Sequence, residues 1–511
     1  MAEISVDDRR LLKTMRWWDG FVVGLACPGF LLAGLAGSVA TVGPAWAATL
    51  WFASAVVGTL QAYVYAEPAA MFPDKPGGLS MYAMEGWRKY FSLAGPIATF
   101  GYWFAWSSVL AIYGGIIGTL VLAQFWPDTL ADPLLFHLGF MDVTWPRVIG
   151  LLCILSCYLF NIRGMRPAVW FSYATGAMMV IPLLVLAIVP VLKGNLGDHA
   201  LRGDFLGPSA QFYGHSGSGF EQILLLIVWF WVIGWSTYGP EAPATFAPEF
   251  VDTKNDTRWA IVSTGVLNSI LSLVLPITIV SVLGYGTIYA DTTYIAFLST
   301  AMDQVVGHGL ANVLILFICA GLLLSMNTAT MDGSRALYGM SREGLTISWL
   351  GNLNGHHVPG RAMTLDMVLN IVLLFAMPTL VFTLAAGNIG YVFAHVLALS
   401  GFLLLRRDRP GWPRPLRLSP LWVAIAWVCL AINGIGTLAG IYRLEYTGYL
   451  IKGEDVTGYY GLAIGVAALV LAVAVIGFIV GQQQAGHGFR LRDPSVEEPS
   501  AEAYALAGSG D

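Results

Sequence analysis

Few side chains in this sequence could do chemistry, and most of those lie in apolar surroundings. The stretch WSTYGPEAPATFAPE, Trp235 to Glu249, follows an apolar run from Ile223 to Gly234 and sets Glu241 between prolines. Pro240 and Pro243 each remove a backbone donor and clash with the preceding turn, and Gly239 lets the chain change direction. The pattern predicts a helix that stops, an unwound Tyr238 to Pro240, and a second half-helix opened by Glu241. A carboxylate at a helix N-terminus is favoured in its ionised form. It could balance a substrate ammonium or carry a proton, or it could cap the broken backbone. The functional reading carries more weight, because ionisable groups inside a membrane are costly and usually functional.

A second interruption lies in GLACPGFLLAGLAG, Gly24 to Gly37, where Cys27, Pro28 and Gly29 cut an apolar run. Two Gly/Pro-interrupted spans at corresponding positions point to the binding site of a transporter. Ser236 and Tyr238 are pocket candidates by proximity to the break. Besides Glu241, three residues are candidates for coupling or gating: His395, Glu67 and Asn327. His395 is the only histidine deep in an apolar run and could protonate during turnover, although a hydrogen-bonded core histidine is the weightier reading. Glu67, six residues before Pro73, reads as a gate or an ion-pair member. Asn327 faces either a cavity or a neighbouring helix. Asp332 and Arg335, three apart, could pair on one helix face. Tyr102, Trp103, Phe104 and Trp106 could wall a pocket.

Helices that cross a bilayer must hold these residues. The chain has 511 residues, 57% hydrophobic and 11% charged, against roughly 25% charged for a soluble domain. Its apolar runs fit helices of about 20 residues, so the expected fold is an all-α integral membrane protein. Twelve spans are expected, beginning near Asp19, Pro44, Leu93, Pro146, Pro167, Glu221, Trp259, Gly309, Ala362, Gly387, Leu421 and Tyr459. With both termini in the cytoplasm, 21 of the 26 Lys and Arg residues fall on cytoplasmic segments, as the positive-inside rule requires. Only Arg147, Lys193, Arg202, Arg443 and Lys452 fall outside. No cleavable signal peptide is expected. The five cysteines lie in apolar runs and read as packing residues.

Several stretches resemble the amino acid-polyamine-organocation superfamily of permeases. YAEPAAMFPDKPGGLSMY, Tyr65 to Tyr82, is similar to the end of its second span. NTATMDGSRALYGMSREGL, Asn327 to Leu345, is similar to its S-R-x-L-Y signature after span eight. HVPGRAM, His357 to Met363, resembles the entry to span nine, LLLRRDRPGWPRPLR the basic exit from span ten, and WSTYGPEA, Trp235 to Ala242, the W-S-x-x-G-x-E pattern of the antiporter branch. The matches run from about Asp19 to Arg417. The resemblance implies a leucine-transporter-type fold, with a 5+5 inverted repeat plus two extra helices and substrate between broken spans one and six. It makes Trp235 a gate over the substrate. It also aligns the span-one break, usually G-[ST]-G, with Ala26-Cys27-Pro28 or, shifted by one, Cys27-Pro28-Gly29. Pro28 has no N–H to offer a substrate carboxylate. The lysine that some members carry in span five in place of sodium is not found between Ala168 and Leu192.

The implied organisation is a cytoplasmic segment 1–16, a first repeat 17–192, an extracellular loop 193–220 and a second repeat 221–405. A basic loop with spans eleven and twelve follows at 406–481, then a disordered cytoplasmic tail at 482–511. The expected function is secondary active transport of an amino acid or organic amine across the plasma (inner) membrane by alternating access, proton-coupled or by exchange. A substrate-sensing receptor and a sodium-coupled symporter are the alternatives. No P-loop supplies ATP chemistry, and no H-E-x-x-H or G-x-S-x-G motif supports an enzyme. The expected partners are a small amino acid or amine and the lipid bilayer. No cofactor, metal or nucleic acid is expected, and the oligomeric state is left open.

Overall fold

The computed structural model of the protein describes residues 11–139, 141–194, 219–291, 293, 295–377, 381–447, 457–486, 488–493 and 498–508. Most of the expected loop 193–220, with Arg202, lies outside these residues, as do residues 1–10 and Lys452.

The elements run α1 (Trp17–Gly24), α2 (Ala26–Val42), α3 (Pro44–Met71), α4 (Gly78–Trp87), α5 (Ala94–Ser107), α6 (Val109–Phe125) and α7 (Pro127–Ala131). A hairpin of β1 (Leu134–Leu138) antiparallel to β2 (Met141–Thr144) precedes α8 (Trp145–Ile162) and α9 (Met165–Leu192). Then come α10 (Gly219–Thr237), α11 (Ala242–Thr245), α12 (Thr253–Leu283), α13 (Tyr285–Ala290), α14 (Phe297–Val306) and α15 (His308–Arg342). The last are α16 (Gly360–Ala376), α17 (Val381–Asp408), α18 (Pro420–Tyr442), α19 (Thr457–Gln484) and α20 (Ala501–Gly508). Among the described residues, 10 helical segments are long and apolar enough to cross a membrane, with α5 and α6 joined as one. Two of the twelve expected spans fall short of that standard. The first is divided into α1 and α2, and the ninth, α16, has 17 residues.

Packing places α12 along α3, α17 along α5, and α15 along α9. Close approach is made by small residues, as in membrane bundles generally. A Cβ at Gly101 of α5 would lie 2.7 Å from the Gly390 carbonyl oxygen of α17, so these two backbones touch. Large apolar side chains such as Leu152, Trp170, Leu192, Leu438 and Leu469 remain exposed on the outer helices, where lipid is their solvent.

One end of the bundle gathers the basic residues into buried ion pairs. Fully buried Glu67 accepts from Arg406, from Arg414 Nε (3.1 Å) and from the Leu418 N–H (2.9 Å). Glu85 on α4 meets Lys75 (2.8 Å), Arg409 (2.8 Å) and Arg88 (3.5 Å). Part of the tail 482–511 packs against this end. The Asp493 N–H donates to the Arg88 carbonyl (2.8 Å), Arg88 Nη2 reaches Asp493 Oδ2 (2.6 Å), and Glu502 of α20 pairs with Lys13. What holds the tail there is contact with charges distant in sequence.

Candidate functional site

The sixth expected span breaks where its prolines demand. The α-helix stops at Thr237, a 3-10 turn runs from Gly239 to Glu241, and α11 lasts one turn before a second 3-10 turn, Ala247–Glu249. The expected second half-helix is therefore a chain of short turns, because Pro243 and Pro248 keep removing donors. Non-helical backbone survives at this depth only if protein satisfies it. Asn268 Nδ2 of α12 donates to the Thr237 carbonyl (3.0 Å), and Ser54 Oγ of α3 meets Thr237 Oγ1 (2.7 Å).

In the first span the discontinuity is at Leu25, not at Cys27 to Gly29. Leu25 has φ −60° and ψ −7°, and its N–H donates to the Phe21 and Val22 carbonyls (2.9 and 3.2 Å). Ala26, Cys27, Pro28 and Gly29 form the first turn of α2, where a proline's missing donor is tolerated. The carbonyls of Val23 and Ala26 accept from Thr328 Oγ1 and Ser325 Oγ of α15, both at 2.9 Å. Span eight thus stitches the break through hydroxyls.

Buried Glu241 is the centre of an aromatic shell. Its Oε1 accepts the Tyr391 hydroxyl of α17 at 2.6 Å, and the carboxylate faces the Trp106 indole. No cationic side chain among the described residues pairs with it. Tyr391 packs against Tyr102 (5.9 Å between ring centroids) and His395 (4.9 Å). His395 is buried, with Nδ1 at 2.9 Å from the Tyr65 hydroxyl and its ring 5.3 Å from that of Tyr238. A small cavity is lined by Ala105, Trp106, Val109, Trp235 and Tyr391. Of its walls, Tyr391 is the hydrogen-bond donor to Glu241 and Trp106 faces the same carboxylate. Trp235 packs edge-on to Tyr113 (6.3 Å), and Ser236 is buried facing Gly34 of α2.

Other candidates stand away from the cavity. Asn327 joins three helices: its Nδ2 donates to the Ala168 carbonyl (2.9 Å) and Ser172 Oγ (2.8 Å) of α9, and its Oδ1 accepts from Asn161 of α8 (2.7 Å). Glu67 belongs to the ion pairs at the basic end. Arg335 does not pair with Asp332. Its guanidinium makes a two-pronged pair with Glu249 and donates to the Met331 carbonyl (2.8 Å). A long arginine reaches past its own helix to the carboxylate that the broken span delivers.

Two buried acids thus acquire importance that spacing alone did not assign. Asp332, 0% exposed, has no hydrogen-bond partner among the described residues for either carboxylate oxygen. Asp366 of α16, also 0% exposed, accepts the Trp103 indole N–H at one oxygen, and its other oxygen lacks a partner. The signal for Asp366 was present in RAMTLDMVLN, where a carboxylate interrupts an apolar run. Among the described residues, no group of three or more His, Cys, Asp or Glu is placed to share a metal ion.

Known proteins bear on this geometry. A sequence profile of the amino acid permease family matches residues 20–485. The D-serine/D-alanine/glycine transporter of Escherichia coli (strain K12) is 23% identical over 348 residues, covering 66% of this chain and 69% of that protein. The branched-chain amino acid permease BcaP of Lactococcus lactis subsp. cremoris is 23% identical over 411 residues, covering 78% of this chain and 82% of its own.

Proposed function

The chain belongs to the amino acid permease family, and we propose that it moves a small amino acid or organic amine across the plasma membrane by alternating access. The reading is carried by one observation. Glu241, buried beside a helix break with no cation paired to it among the described residues, accepts the Tyr391 hydroxyl and faces the Trp106 indole, and both of these side chains also wall a cavity. A substrate ammonium would supply the missing charge, and its attraction is stronger in a poorly solvated cavity than in water. A small cargo is the reading favoured by the relatives. The relatives' named cargoes, D-serine, D-alanine, glycine and branched-chain amino acids, are of this size class.

The proposed architecture is twelve spans, the first ten forming two five-helix repeats of opposite orientation. Matching the first repeat to the second in order pairs span three with eight and five with ten. The contact of span three with ten (α5 and α17) then has its counterpart in eight with five (α15 and α9). The contact of two with seven (α3 and α12) maps onto itself. In this reading both termini lie in the cytoplasm, supported by the positive-inside rule applied to the basic loops. Coupling is to protons or by exchange. The Val23 and Ala26 carbonyls, where a cation could sit at a broken span, are met by the hydroxyls of Thr328 and Ser325.

The test is uptake into proteoliposomes of labelled glycine, D-alanine, D-serine, leucine and the decarboxylated amines of alanine and leucine. Saturable uptake of at least one, weakened by Glu241→Gln, is expected. Absence of saturable uptake for the whole panel refutes the reading. Strong preference for the α-amino acids with no effect of Glu241→Gln refutes the role of Glu241.

A further inference from the structure

Asp332 is set apart by what it lacks. It lies on α15 one turn before Arg335, yet the guanidinium turns away to Glu249. The Tyr102 hydroxyl of α5 and the Thr245 hydroxyl of α11 face its carboxyl without closing a hydrogen bond of normal length. Both hydroxyls are buried, at 0% and 1% exposure, and neither has another hydrogen-bond partner among the described residues. The Tyr102 ring packs against Tyr391 (5.9 Å between centroids), whose hydroxyl donates to Glu241, and a Cβ at Gly333, next to Asp332, would lie 3.9 Å from Asp366 Oδ2. Three buried carboxyls, Glu241, Asp332 and Asp366, therefore stand about α5 and its Tyr102, with no cation paired to any of the three among the described residues.

A buried carboxylate without a counter-charge is strongly disfavoured. The site becomes neutral only by holding a proton or a cation. Thr245 belongs to the short turns beyond the break, so movement of the broken span changes what faces Asp332. We propose that Asp332 is the proton-carrying site of this transporter, linked through the Tyr102 hydroxyl to Glu241 and the cavity. The inference rests on the transport reading above and names its coupling residue. In each cycle one O–H bond forms on the Asp332 carboxyl with a proton from the side that is open, and it breaks to release that proton on the other side. Tyr102 accepts and donates in turn, and no other bond changes.

Other titratable groups surround this chain. Cys27 of α2, Tyr65 of α3, and Tyr391 and His395 of α17 face Glu241 or its tyrosines. On the same helix as Asp332, Arg335 is held by Glu249. Of all these, Asp332 is a carboxyl held by neither an ion pair nor a hydrogen bond, so it changes charge without breaking a bond in the protein.

The test uses full-length protein in proteoliposomes, with labelled glycine or whichever panel compound shows saturable wild-type uptake. Uptake driven by an inward proton gradient, counterflow without a gradient, and internal pH by a trapped dye are read together. Asp332→Asn is expected to lose the stimulation by the gradient, at least tenfold, and the acidification of the lumen. Its counterflow should stay within about twofold of wild type, because exchange of substrate needs no net proton movement. Asp332→Glu should recover part of the stimulation. Full stimulation in Asp332→Asn overturns the proposal. So does loss of counterflow together with stimulation, which marks a substrate-binding role. If Asp332→Asn does not fold, Tyr102→Phe decides: reduced stimulation with retained counterflow supports the relay, and unchanged stimulation overturns it. Wild-type protein that takes up none of the panel refutes the transport reading instead.

Discussion

Glu249→Gln should be among the most destabilising single changes in this protein, although Glu249 does not line the cavity. Arg335 has no exposed side-chain surface and Glu249 has 2%. The guanidinium donates to both carboxylate oxygens and to the Met331 carbonyl, and it lies 4.9 Å from the Phe246 ring. Removing one partner of a buried pair leaves an uncompensated charge and costs about 3–5 kcal/mol. Glutamine keeps one acceptor, so the lower end of that range applies. In a chain of this size about 3 kcal/mol should lower the unfolding temperature by roughly 3 °C. Thermal unfolding of purified protein in detergent measures it. Glu502→Gln is the comparison, since the Lys13–Glu502 pair is about a third exposed (37% and 35%) and exposed pairs contribute about 0–1 kcal/mol. Its shift should be under roughly 1 °C. Raising salt should change the Glu249 shift little, because buried charges are poorly screened. Replacing both partners by apolar residues, Glu249→Leu with Arg335→Met, should recover at least half the loss, since no orphan charge remains. Equal shifts for Glu249→Gln and Glu502→Gln, or a double variant worse than the single, would refute the reasoning.

Trp235→Ala should impair uptake at unchanged membrane abundance, and wild-type uptake at wild-type abundance would count against its gating role. Gly101→Ala drives a methyl into the Gly390 carbonyl oxygen at 2.7 Å. The two helices must part, and the overpacking should cost about 1–3 kcal/mol, read as a lowered unfolding temperature. Burial alone would raise the Glu85 carboxyl, but the charges of Lys75, Arg409 and Arg88 outweigh it and hold it below the usual value. A depressed carboxyl stabilises the fold above its unfolded value, about pH 4.3, and loses that contribution as pH falls through the folded value. Glu85→Gln should therefore destabilise equally from pH 8 to about pH 5, and the difference from wild type should shrink in more acid solution, as thermal unfolding across pH would show.

Much of the site was legible because its signals are local. Proline at 240 and 243 cannot donate, whatever surrounds it, so the break after Thr237 follows from residue chemistry. The membrane class follows equally from composition, since so few charges cannot cover a soluble surface. The span-one break was legible only approximately. Cys27, Pro28 and Gly29 interrupt the apolar run in sequence, but a proline in the first turn of a helix is accommodated, and the discontinuity lies at Leu25.

Partners in space were not legible. Asp332 and Arg335 have the spacing of an intrahelical pair, and only the folded chain reveals that Glu249, 86 residues before Arg335, takes the arginine and leaves the aspartate alone. Asp366 passed unnoticed beside a more conspicuous Glu241, and its bond to Trp103 joins positions 263 residues apart. Periodicity and backbone chemistry act over a few residues, so the sequence by itself determined the membrane class, most of the helices and the break after Thr237. Which buried charge is neutralised, and which is left to bind something else, depends on side chains brought together by packing, and that only the tertiary structure decided.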